Sequence, residues 1–165
     1  MKGLKQLFWM LLFTACAHAA PQAMPPVDPD TPIYSVKVEP GVTYDDVVTS
    51  LKVAAEGANF VSPANFPLGE HIKQRGLPLE GVLEVRSYCN LSLGAEIMLD
   101  HPEFAVFAPC RIAIYEKDKQ LYLALDRPSF DLKYIKHPTE RAVKAAQKLE
   151  EVLLSIIDKA RKGEI

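Results

Sequence analysis

Cysteine is scarce in this chain, with only Cys16, Cys89 and Cys110 among 165 residues. No CxxC pair, HxxxH or HExxH occurs, so neither a zinc ribbon nor a helical metalloprotease site is encoded. CxxCH is missing too, which excludes covalent haem attachment. The chain also lacks a GxSxG elbow, a Walker loop and a dinucleotide fingerprint, and with them three common enzyme templates. Charge of one sign is not in excess. The formal net charge is -2 and the basic residues are scattered, which gives no long-range attraction for nucleic acid or anionic lipid. The longest apolar run in the body falls well short of the ~20 residues of a membrane span.

The beginning of the chain is different. "MKGLKQ" carries Lys2 and Lys5, "LFWMLLFTAC" is a short apolar run, and "AHA" places small residues before a cut after Ala19. That layout predicts a secretory signal peptide over 1–19 and a periplasmic or secreted protein. An alternative is a lipoprotein anchored at Cys16, because "FTAC" resembles a lipidation site with Phe13 in place of the usual Leu. Cleavage after Ala19 removes two lysines and no acid, taking the formal charge from -2 to -4. Residues 20–32, "APQAMPPVDPDTP", hold five prolines and read as an extended spacer. One domain over 33–165 follows, a length that suits a single core.

Within that domain "IYSVKVEP" alternates as a strand with one wet face. Thr43 and Asp46 approximate a capping box for an amphipathic helix, with Tyr44, Val47, Val48, Leu51, Ala54, Ala55 and Ala58 on one side and a stop near Gly57. "NFVSP" reads as a short strand. Residues 63–81 form a long connection rich in Pro and Gly, and such connections are often functional. "VLEVRSYC" is a third strand, with Leu83, Val85, Ser87 and Cys89 on one side. Asn90 or Ser92 can cap "LSLGAEIMLD", which must end by Pro102. A hairpin follows, in which Cys110, Ile112 and Ile114 face Leu121, Leu123 and Leu125 across "EKDKQ". The last helix runs from about Pro138 to Lys162. The order βαβ, βαββ, α predicts an α+β fold, an antiparallel-rich sheet with helices packed on one face.

The elements "YSVKVEPGVTYDDVVTSLKVAAEGANFV", "GEHIKQRGLPL", "VLEVRSYCNLSLGAEIMLDHP" and "APCRIAIYEKDKQLYLALDRP", in that order and spacing, resemble the domain of unknown function 302 family. The resemblance covers about residues 33–130. It implies a fold related to the saddle of TATA-box-binding proteins and a tendency to form homodimers. It implies no activity or cofactor. The long final helix runs past the family core.

Cys89 and Cys110 are the cysteines of the body, and an even number in an exported chain invites a disulfide. A crossover helix between roughly parallel strands would instead put them at opposite edges of the sheet, ~17 Å apart, whereas bridged Cα atoms lie within about 7 Å. No intrachain bond is therefore expected. Cys110 reads as a compact core residue after Pro109. Cys89 lies at the amino end of a helix, where the dipole would lower its pKa. His71 beside Glu70 could form an acid–histidine pair on a mobile loop. His101 would suit the end of a helix, and His137 is a further isolated imidazole. Arg127, next to Asp126, could meet a carboxylate or phosphate, or form a structural ion pair. The resulting expectation is an exported small-ligand-binding or sensing domain, with ligand between the sheet and residues 63–81 and with Cys89, Cys110, His71, Glu70 and Arg127 as candidate contacts. A thiol-dependent redox or sulfur-handling enzyme and a structural homodimer or partner-binding module are the alternatives.

Overall fold

The structure is a computed structural model and describes residues 23–165. The expected signal peptide with its cut after Ala19, and the alternative lipidation site at Cys16, lie outside these residues. Five strands form one sheet in the order β1-β5-β4-β3-β2: β1 Ile33–Lys37, β2 Asn65–Phe66, β3 Leu83–Tyr88, β4 Cys110–Lys117 and β5 Gln120–Asp126. All neighbours are antiparallel. The helices are α1 Tyr44–Gly57, α2 Leu68–Gln74, α3 Leu91–Met98, α4 Pro128–Asp131 and α5 Glu140–Lys162, with short 3-10 turns at Pro102–Phe107 and Leu132–Tyr134. The expected α+β architecture is present.

The hairpin supplies the centre of the core. Ile112, Ile114, Leu123 and Leu125 are fully buried, each worth about 1.5–3 kcal/mol of transfer free energy. Tyr34 and Val36 continue this face onto β1, and Val47, Leu51 and Ala55 of α1 with Ala142, Ala146, Leu149, Leu153 and Ile157 of α5 cover it. Both long helices are capped at their start: Thr43 and Asp46 complete the expected capping box, and at α5, which begins two residues after the expected Pro138, the Thr139 hydroxyl accepts from the Ala142 N–H. Gly163, with φ of +67°, ends α5 in the left-handed conformation that glycine adopts without penalty. No helix among the described residues is long and apolar enough to cross a membrane.

Four local expectations are corrected. Residues 63–81 contain β2 and α2, and α2 packs so closely that a Cβ on Gly69 would lie 3.2 Å from the Leu83 carbonyl oxygen. "NFVSP" is not a strand; Val61 makes only an isolated antiparallel bridge with Cys89. Leu83, Val85 and Ser87 share a face, but it is the one the helices leave uncovered. Glu84, Arg86 and Tyr88 pair with Ile114, Ile112 and Cys110 and therefore face the helices. Finally, the proline-rich segment is not a free spacer. The Tyr34 hydroxyl donates to the Pro25 carbonyl (3.0 Å), Arg127 Nη1 to the Thr31 carbonyl (2.7 Å), and Lys133 Nζ to the Pro29 carbonyl (2.7 Å). Proline removes backbone donors but leaves carbonyls to be used.

Candidate functional site

The antiparallel pairing of β3 with β4 brings the two cysteines to the same end of the sheet. Cys110 faces Tyr88, the residue before Cys89, so the expected separation by a strand length is overturned. It rested on parallel strands. Both are free thiols, and both line a cavity of about 30 Å³ closed by Asn90 at the cap of α3, Gly94 and Met98 within it, Phe104 and Phe107, and Asp126, Pro128 and Asp131. That volume suits one or two waters rather than an organic ligand.

The electrostatics of this cavity oppose thiolate formation. Burial pushes the Cys110 thiol up to about 12, with the charges of Cys89, Asp126 and Asp131 adding to the effect. Burial also raises Cys89. The expectation that its helix terminus would lower that pKa is corrected: desolvation of the sulfur prevails, and the α3 N-terminus is already served by Asn90, whose Oδ1 accepts from the Leu93 N–H (3.0 Å). Asp131 is raised to about 6, first by burial and then by Asp126 and Glu150, against Arg111.

The other expected site residues lie elsewhere. Glu70 and His71 are on α2 at the β2–β3 side of the sheet, where Glu70 pairs with Lys73 at 3.2 Å and the His71 carbonyl accepts from Arg75 (2.8 Å). Neither lines the thiol cavity. Arg127 is buried and pairs with Glu150 of α5 at 3.0 Å, not with Asp126, which pairs with Arg111. His101 does not cap α3. Its Nε2 accepts from the Thr139 N–H (3.0 Å), tying the 3-10 turn to the start of α5. His137 stands in the connection before α5, with φ of +53°.

A second hollow escaped the sequence reading. Between α1 and the end of β3 lies an open cleft of about 420 Å³, within the range that holds small molecules. Val48, Ala55, Phe60 and Val61 give it apolar walls, and Lys52, Glu56, Ser62, Arg86 and Tyr88 supply polar groups. Arg86 is held by buried Glu84, which accepts from Arg86 Nε (2.6 Å) and from the Tyr44 hydroxyl (3.0 Å). Lys52 and Glu56, one helical turn apart, form no ion pair among the described residues. Tyr88 borders both this cleft and the thiol cavity, and burial raises its phenol to about 12. The only signal in the sequence was a charged pair, Glu84 and Arg86, alternating with apolar residues on β3.

The pattern of the family described as Domain of unknown function DUF302 matches residues 34–157. The chain belongs to this family. An uncharacterized DUF302 protein from Bacillus stearothermophilus, known from its crystal structure, superposes with a TM-score of 0.70 at 17% identity, over 78% of this chain and 98% of the other. That likeness concerns the fold. An uncharacterized protein of Aquifex aeolicus (strain VF5) is 40% identical over 86 residues, 52% of this chain and 53% of the relative. The chain thus spans about half the length of this curated relative. In this DUF302 domain, the cleft offers volume and mixed polarity, whereas the smaller cavity concentrates sulfur and carboxylate.

Proposed function

We propose that this DUF302 protein is an exported small-ligand-binding domain whose ligand occupies the cleft between α1 and β3. The observation that carries the reading is the cleft's size together with its chemistry. Phe60 and Val61 offer an apolar surface, while Lys52 and the donors of Arg86 not used by Glu84 and Tyr44 offer charge. This combination suits a small organic acid with an apolar body, bound by its carboxylate. None of residues 63–81, which hold β2 and α2, lines this cleft. The raised thiol pKa values argue against a Cys89-dependent nucleophilic enzyme as the principal activity.

Native mass spectrometry of protein isolated from the periplasm tests export and binding together. A retained small acid, lost in Arg86→Met and Lys52→Met variants that remain folded, is the expected result. Repeated absence of any bound molecule, or equal binding of a carboxylate and its amide in titrations, refutes the reading.

The uncovered sheet face favours a homodimer as a second feature. Half-buried Leu83, Val85, Ala113 and Ala124 lie there beside Tyr115 and Tyr122, whose rings stack at 5.2 Å, with Phe66 54% exposed at its margin. A two-fold pairing of this face buries it against itself. Light scattering should give a dimer mass that Val85→Lys reduces to a monomer; a wild-type monomer at all concentrations sinks this part.

A further inference from the structure

Glu56 is the lining group of the α1–β3 cleft that a bound carboxylate leaves unexplained. It lies in the last turn of α1, which holds no basic residue. A negative side chain is disfavoured there, because that end of a helix already carries a partial negative charge. Lys52, one turn earlier, is its nearest opposite charge in sequence, yet neither side chain has a hydrogen bond or ion pair among the described residues. Lysine followed by glutamate at this spacing is the weaker order for an intrahelical pair. Both side chains line the cleft.

The β3 wall is balanced from behind. The Arg86 guanidinium is held at 2.6 Å by the Glu84 carboxylate, whose side chain is only 6% exposed, so this pair is neutral as a unit. The cleft and the carboxylate behind it thus present two cations and two anions, with no net charge. A simple carboxylate finds Lys52 and Arg86 but also meets Glu56, which repels it. A zwitterion satisfies all three.

We propose that the cleft takes an α-amino acid with an apolar side chain, whose ammonium donates to the Glu56 carboxylate while Lys52 and Arg86 donate to its carboxylate. The two charged groups of such a molecule sit on one carbon, and Lys52 and Glu56, about 6 Å apart along the helix axis, bracket it. The apolar side chain lies against Ala55 and Phe60, which are 2% and 3% exposed and form the floor. This inference rests on the cleft being the ligand site and narrows the class of acid bound there.

The test is calorimetric titration of the folded full chain at neutral pH with leucine and phenylalanine, and with isocaproate and hydrocinnamate, which differ from them only in lacking the amine. Each amino acid should bind about five- to tenfold more tightly than its deaminated counterpart, the worth of one hydrogen bond between charged groups at a partly open site. Glu56→Gln, at an exposed position, should close that gap by weakening the amino acids, and Glu56→Asp should retain part of it. Deaminated acids that bind as tightly as the amino acids, or a gap that survives Glu56→Gln, overturn the ammonium site and leave the cleft standing as an acid site. Leucinamide that binds as tightly as leucine overturns the acid site and this inference with it, as does the absence of binding by every compound.

Discussion

Replacing Arg127 by Met tests the least expected part of the fold. The Arg127 guanidinium is buried, pairs with Glu150 at 3.0 Å, and donates to the Asp28 and Thr31 carbonyls. Methionine preserves much of the stem's packing and removes all of these donors. Breaking a buried pair by deleting one partner costs about 3–5 kcal/mol, because the other charge stays behind. Glu150 keeps the Ser129 N–H (3.1 Å) and the Ser129 hydroxyl as donors, which places the loss at the lower end, about 3 kcal/mol. At roughly 2–4 °C per kcal/mol for a chain of this size, Tm should fall by about 6–12 °C. Urea unfolding of wild type, Arg127→Met, Glu150→Leu and the double variant gives the coupling directly. The double variant should regain much of the loss, since an apolar pair leaves no stranded charge. A cost for Arg127→Met below about 1 kcal/mol refutes the reasoning, because a pair so weak belongs on an exposed surface.

Cys110→Ser should destabilise by about 1–3 kcal/mol and Cys110→Ala by less, since serine brings a hydroxyl to an apolar position while alanine leaves a small void; equal melting temperatures for both and wild type refute this. Asp131→Asn should stabilise the protein at neutral pH. The folded carboxyl, at about 6, ionises after the unfolded one, near 3.8, so ionisation favours unfolding as pH rises through that window. The gain should be absent below pH 4, grow between 4 and 6 and level off above, on the order of 1 kcal/mol after allowance for solvent screening; a pH-independent effect in urea titrations contradicts it. Gly69→Ala should cost about 1–3 kcal/mol, because its Cβ meets Leu79 and the Leu83 backbone at 3.2–3.3 Å, and proteolysis should then cut first within α2.

The hairpin, the capped start of α1 and the last helix were legible because each depends on local signals: alternation in 110–126, the Thr43–Asp46 box and the apolar stripe of α5. The site was less so. Strand direction is a long-range property, and reading α3 as a crossover between parallel strands separated Cys89 from Cys110 when the register places them together. The cleft was hidden for a related reason. Glu84 and Arg86 look like a solvent-facing alternation, and only the pairing of Arg86 with Ile112 turns them toward the helices. Proline composition likewise forbids helix but does not forbid docking, which needs only carbonyls and a buried arginine.

The docked proline-rich segment also determines how the domain bears tension. Strand β1 is an outer strand, and a pull from its amino end, if applied there directly, unzips its bonds to β5 one after another. The arm moves the point of attack. Arg127 holds the arm's carbonyls, its own N–H donates to Pro32 (3.0 Å), and its side chain is fastened to Glu150 on α5. A load arriving along residues 23–32 is therefore shared between the central hairpin and the longest helix before β1 feels it. Several bonds must then fail together, so the domain resists a pull on residues 23–32 as a block.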